Sequence, residues 1–339
     1  MRTYFLMLLL LLAPLHTQTA LQYSYTPAFN GANAFSYLTQ QCDFGPRPPG
    51  SENLSLCREY IVDTLESFGW TVTLQNFTYD EVDCTNVIAR FGSGNNESVI
   101  LGSHYDTRPR ATADPDPQNH NRPVLGANDG ASSTAALLEL ARILPNDARS
   151  IVELVFFDAE DSGGIDVRGT GFSWDYIVGS NYYVDQLSEP RIESIRSMIL
   201  LDMIGDENLR LLRETSSTDS LQDDIWNIAG QLGHGDIFLD SPGGSVIDDH
   251  RPFLSVDIPS LDMIHHAPFP STWHTVEDIP ERCSASSLEV VGGVVEVFLV
   301  TQVDSTDAFV PDTPLLLYAV LLSIPIAVFT VFLVRSKRF

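Results

Sequence analysis

The chain has 339 residues, 44% of them hydrophobic, which is enough apolar material for a large core and excludes both a disordered chain and a disulfide-held miniprotein. Asp and Glu number 45 against 19 Lys and Arg, Lys337 being the single lysine, for a net charge of −26. So negative a field repels phosphate backbones, so no nucleic-acid partner is expected, and the charge itself reads as a solvated acidic surface.

In chain order, residues 1–20 open with Arg2 and a short apolar run, the pattern of a signal peptide. Residues 21–303 follow as one exported domain. Within it, residues 51–68 carry apolar positions at Leu54, Ile61, Leu65 and Phe68 between a Ser51 cap and a Gly69 stop, which predicts a helix. Residues 70–74 alternate as a half-exposed strand, and 99–101 read as a short buried strand. The proline-rich stretch 108–123 is a loop. Residues 132–144 predict a helix, 151–157 and 197–203 buried strands, 221–232 a helix, 260–264 a strand and 286–301 a long helix. Such alternation predicts an α/β fold of three layers. Its central sheet is mixed, largely parallel and covered by helices on both faces.

A stalk at 304–314 leads to an uncharged run at 315–334 of the length that crosses a bilayer core. Arg335, Lys337 and Arg338 follow, which places the tail 335–339 in the cytoplasm and the domain in the secretory lumen or at the cell surface. Sequons at Asn53, Asn76 and Asn96 suit that location. Outside the cytosol Cys42, Cys57, Cys84 and Cys283 could form one or two disulfides, with the pairing open; their spacing matches no Cys₄ zinc pattern.

Polar residues follow each apolar strand. The runs are Ser103-His104-Tyr105-Asp106, Gly126-Ala127-Asn128-Asp129-Gly130, Phe156-Phe157-Asp158-Ala159-Glu160-Asp161, Leu200-Leu201-Asp202-Met203, Asp248-Asp249-His250-Arg251-Pro252-Phe253 and Trp273-His274-Thr275. Singly, Asp129 reads as a helix cap, Glu160-Asp161 as a solvated turn and a histidine as a core residue. Together they occupy one topological position, outside the carboxyl ends of strands, where open α/β sheets bind ligands. Carboxylates gathered there repel one another unless a cation joins them, and mixed His and carboxylate donors favour zinc.

These motifs, in this order, resemble the superfamily of zinc aminopeptidases and glutaminyl cyclases, over roughly residues 43–301. The resemblance implies ligands at His104, Asp129, Asp161, Asp202 and His274, with Asp129 bridging if two zincs bind. It makes Glu160 the general base and Asp106 the residue that orients His104. Asp161 departs from the usual Glu by one methylene.

Three features look more like the cyclase branch: the carboxylate Asp248 before the Asp249-His250 pair, Trp273 beside His274, and the run from Leu200 to Asp206. That branch implies one zinc, on Asp129, Asp161 and His274. Its substrates would be peptide or protein N-termini bearing glutamine, closed to pyroglutamate with loss of ammonia. Glu160, Asp202 and Asp248 would share protons, and Trp273, Phe269 and Trp174 would line the pocket, ordinary core packing being the alternative for these aromatics. Gly130 stands where cyclases often have Ser, and Asp262 where animal cyclases have His. With all five ligands present, a dizinc aminopeptidase is the second reading. A ligand-binding ectodomain without activity is the third, which the intact ligand set and Glu160 disfavour.

Overall fold

The computed structural model describes residues 25–92 and 98–307. The expected signal peptide, the 315–334 span, the cytoplasmic tail and Asn96 lie outside these residues.

The elements in chain order are α1 (Gly31–Asp43), α2 (Glu52–Ser67), β1 (Thr71–Tyr79), β2 (Val82–Arg90), β3 (Ser98–His104), α3 (Ala131–Ile143), α4 (Asn146–Ser150) and β4 (Val152–Phe157). There follow α5 (Val178–Asp185), α6 (Glu189–Ser194), β5 (Ile195–Asp202), β6 (Leu211–Glu214), α7 (Asp219–Gln231), β7 (Phe238–Gly244), α8 (Arg251–Leu254), β8 (Ser260–Ile264) and α9 (Ala285–Asp307). Six strands form one sheet in the order β1-β2-β4-β3-β5-β8, and β6 pairs with β7 apart from it. β4, β3, β5 and β8 run parallel, while β1 and β2 are antiparallel additions at one edge.

Period-two alternation sorts the sheet into two faces. Val99, Leu101, Leu154, Phe156, Ile199 and Leu201 pack into one core with residues of α1, α2, α3, α7 and α9. Ile100, Val155, Phe157, Met198 and Leu200 pack into a second core with Tyr183, Val184 and Phe253 from the opposite helices. The three-layer α/β architecture is therefore present.

Local chemistry sets the element ends. The Ser51 hydroxyl accepts from the Leu54 amide at 3.1 Å to open α2, and Gly69 stops the helix at φ +84°. α9 has a mean hydropathy of 1.5 over Ala285–Val303, enough by length and composition to cross a membrane. It is instead 67% buried in that stretch, against α1, α3, α4 and α7. The helix continues to Asp307, so the first residues of the expected stalk belong to it. Buried Glu296 on α9 accepts hydrogen bonds from the Ala28 amide, the Phe29 amide at 2.8 Å and the Tyr25 hydroxyl, tying the first described residues to the last helix.

The expected disulfides are not formed: all four cysteines are free thiols. Cys42 and Cys57 sit in the large core, whereas Cys84 packs with Phe77 and Trp174 in a separate cluster, which separates it from them. Burial pushes the Cys57 thiol up to about 11.

Candidate metal and catalytic site

Four parallel strands deliver the site. His104 ends β3 and Asp202 ends β5. The turn after β4 carries Asp158 to Asp161, and the long connection after β8 carries His274. Asp129 sits on the turn into α3. Its amide and that of Asn128 donate to the Asp278 carboxylate at 3.1 and 2.8 Å, which fixes that turn. Burial, reinforced by nearby Asp129, raises the Asp278 carboxyl to about 8. Gly130 follows at φ +97°, and a Cβ there would lie 2.6 Å from the Asp106 carbonyl oxygen and 3.1 Å from the His104 ring. The turn thus has no room for the serine common at this place in cyclases.

Backbone strain concentrates here. Ala159, Met203 and His274 all adopt positive φ, at 61°, 47° and 56°. Each flanks or is a site residue, and such conformations persist only where surrounding contacts enforce them.

The structure brings all five expected ligands together, every one buried. His274 Nε2 is 2.9 Å from Asp161 Oδ1 and 3.7 Å from Asp129 Oδ2. His104 Nε2 is 3.1 Å from Asp129 Oδ1 and 3.2 Å from Asp202 Oδ1. Four-coordinate zinc with bonds near 2.0 Å places its ligand atoms about 3.3 Å apart, so both donor sets fit such an ion. Asp129 Oδ2 is buried without a hydrogen-bond partner, as expected of an oxygen reserved for a cation. The two sets share Asp129.

Asp106 acts one layer behind. Its carboxylate accepts from the Glu160 amide at 3.0 Å and the Asp161 amide at 3.3 Å, and lies 3.5 Å from His104 Nδ1. Burial opposes protonation of His104, but Asp106, Asp129 and Asp202 outweigh it and hold the imidazole well above its ordinary range. Arg108, at the start of the proline-rich loop, is 5% exposed and grips Asp161. One of its terminal nitrogens donates to the Asp161 carboxylate at 3.0 Å and to the Asp161 carbonyl at 3.2 Å; the other donates to the Gly163 carbonyl, and Nε to the Thr112 hydroxyl. The short Asp161 side chain is thus positioned from outside.

Glu160, Asp202 and Asp248 line one cavity with Asp129, Asp161 and His274. Including its open mouth it holds about 360 Å³ of empty space. Burial, then repulsion among neighbouring carboxylates, raises Glu160 and Asp248 well above the usual carboxylate range; burial also raises Asp202. Asp262, behind Asp248 on β8, is raised by burial and by Asp248. His250 stands between Glu214 at 3.4 Å and Asp262 at 3.6 Å, so an imidazole reaches this network from α8's leading edge.

Phe269 and Trp273 do reach the cavity. Phe269 stacks on Trp273 with centroids 4.3 Å apart, and Trp273 on His274 at 3.7 Å. Trp174 does not line it. Its indole packs with Phe77, Cys84 and Val178 and donates to Asp80, because the intervening turn points Tyr176 inward instead. Tyr176, Val246, Ile247 and Arg108 are the site residues that the sequence reading missed; Ile247 and Arg108 each lie within two residues of a recognised motif.

The sequence profile of peptidase family M28 matches residues 86–299, more than half of the chain. The chain belongs to peptidase family M28. Among solved structures, a zinc-dependent exopeptidase from Parabacteroides distasonis superposes with a TM-score of 0.75 at 32% identity, covering 81% of this chain and 99% of that one. A Bacteroides thetaiotaomicron glutaminyl cyclase bound to N-acetylhistamine gives 0.73 at 34% identity, covering 80% and 98%. A glutaminyl-peptide cyclotransferase-like protein from Bos taurus is 29% identical over 294 residues, 75% of this chain and 71% of the relative. This M28 member is thus similar to cyclases and to a peptidase.

Proposed function

We propose that the chain is a zinc-dependent glutaminyl-peptide cyclotransferase, converting N-terminal glutamine of peptides or proteins to pyroglutamate with release of ammonia. The observation that carries the reading is Asp248. It is 3% exposed, lines the cavity with Glu160 and Asp202, and is held in a state that favours a proton. A carboxyl there would hydrogen-bond the glutaminyl side-chain amide, whose nitrogen leaves as ammonia. The cyclase names among the relatives support the same reading.

Asp129, Asp161 and His274 would hold one zinc. When bound, that ion would polarise the side-chain amide carbonyl as a Lewis acid. Glu160 takes a proton from the α-amine as nitrogen bonds to the amide carbon, and delivers it to the departing nitrogen as that C–N bond breaks. Amine and amide carbon belong to one residue, so the attack is intramolecular. Asp248 and Asp202 share a proton at the leaving amide, and such groups titrate together. Trp273 and Phe269 flank the glutaminyl side chain, and Asp106 orients His104.

The second donor set, His104, Asp129 and Asp202, favours one alternative, a dizinc aminopeptidase in which Glu160 deprotonates the attacking water. The uncharged run at 315–334 supports a membrane tether with the enzyme on the extracytoplasmic side; deletion from Pro314 onward should release a soluble domain. The deciding assay follows ammonia from Gln-peptides and free amino acids from other peptides, with and without chelator, for wild type and Asp248→Ala. Ammonia release that is lost with chelator and impaired by Asp248→Ala is expected. Amino-acid release without ammonia, untouched by Asp248→Ala, would leave the aminopeptidase.

A further inference from the structure

Apart from Arg108, the proline-rich loop 108–123 takes no part in the chemistry proposed above, yet it is built around one buried carboxylate. Asp114 is 5% exposed. Its Oδ1 accepts from the Asp116 amide at 2.9 Å and from the Asn119 side chain at 3.0 Å, both inside the loop. Its Oδ2 accepts from the Val276 amide at 3.1 Å, a residue 162 positions away. Next to it, the Ala113 amide donates to the His274 carbonyl at 3.1 Å. The loop is closed on itself, since His120 Nε2 donates to the Asp114 carbonyl at 2.7 Å and the Ala111 amide donates to the Arg122 carbonyl at 2.8 Å.

These two cross-links pin the peptide units on either side of Thr275, directly after His274. His274 is buried and has φ 56°, a conformation that a residue with a Cβ keeps only where its surroundings enforce it. The turn closes internally through Thr275, whose amide and hydroxyl donate to the Thr272 carbonyl at 3.1 and 2.7 Å, and Trp273 stacks on the ring. The loop supplies the anchor from outside.

We infer, resting on the zinc reading of Asp129, Asp161 and His274, that Asp114 is a positioning residue for the metal. Through the Val276 amide it holds His274 in place, with Nε2 2.9 Å from Asp161 Oδ1 and 3.7 Å from Asp129 Oδ2. Arg108 at the start of the same loop grips Asp161, so one loop sets two of the three donors. An ion that meets donors already in position loses no affinity to ordering them. The position demands a carboxylate, because the Asp116 amide, the Asn119 side chain and the Val276 amide all donate to it; an amide at 114 would turn its own NH₂ against one of them in either orientation.

The test titrates zinc into the metal-free full chain against a coloured competing chelator, which gives the dissociation constant. Asp114→Ala should weaken zinc by about 10- to 100-fold, the usual effect of losing a group that orients a ligand. Asp114→Asn, close to the native shape, should lie between that variant and wild type, and it carries the test alone if Asp114→Ala does not fold. Glu296→Ala, which loosens the fold away from the site, should keep the wild-type constant although its denaturation midpoint falls. Wild-type zinc affinity in the Asp114 variants overturns the positioning role while sparing the zinc site. Equal weakening by Glu296→Ala overturns it too, since general stability would then set the affinity. Absence of zinc binding by wild type overturns the zinc reading and the positioning role together.

Discussion

Arg108 and the zinc proposed for this site would share the Asp161 carboxylate, which makes their energies separable. Asp161 Oδ1 is 3.0 Å from the Arg108 guanidinium and 2.9 Å from His274 Nε2. Arg108→Ala strands three acceptors in buried residues, the Asp161 carboxylate and carbonyl and the Gly163 carbonyl, while the exposed Thr112 hydroxyl turns to water. A charged hydrogen bond contributes about 1.5–3 kcal/mol and each neutral one about 0.5–1.5, so the metal-free variant should lose about 3–5 kcal/mol. For a domain of this size that is a fall of roughly 6–15 °C in Tm. With zinc bound, Asp161 keeps a cationic partner, and the charged share of the loss is recovered. The fall should then shrink to about half. Differential scanning calorimetry of wild type and Arg108→Ala, each with saturating zinc and with chelator, gives the four values. Equal falls in both conditions would refute the idea that guanidinium and metal share this carboxylate.

Glu160→Gln keeps shape and removes basicity; kcat should fall by about 10²–10⁴ while zinc content, measured by mass spectrometry, stays at the wild-type value. His274→Ala should lose most bound zinc, whereas Asp202→Ala should retain one ion if the working site is mononuclear; a drop from two ions to one on losing Asp202 would favour the aminopeptidase. Glu296→Ala removes the acceptor for two backbone amides and the Tyr25 hydroxyl, and chemical denaturation should show a loss of about 2–5 kcal/mol without change in zinc stoichiometry.

The strands that build the site were legible because their cores are continuous apolar runs that end abruptly in polar residues, as at Ile199 to Asp202. β2 was not. It is buried on both sides, yet its middle reads Cys84-Thr85-Asn86, and those polar groups are satisfied by partners on other elements: the Thr85 amide donates to Asp158, and the Asn86 side chain donates to the Gly179 carbonyl and to the Gln75 side chain on β1. No local pattern announces such pairing. α1 was missed for a related reason, since Gly31, Ala34 and Leu38 form a thin apolar stripe that becomes a core face only against α3 and α9. The buried cluster of His104, Asp129, Asp161, Asp202 and His274 was legible through motif order; the orientation of Trp174 was not, because sequence position says nothing about which way a turn directs its rings. Tyr176, two residues on, faces the cavity in its place.

The clasp between Glu296 and the first described residues sets an order on synthesis. Its hydrogen bonds span 267 to 271 positions of the chain. A growing chain emerges from its amino end, so Ala28 and Phe29 are made long before the carboxylate that receives their amides. Until α9 is complete, α1, α3 and α7 each have only part of their packing surface. Contacts of such long range favour slow folding. The nascent domain therefore passes most of its translation with one apolar face exposed, and chaperones that hold such faces have a long window in which to act.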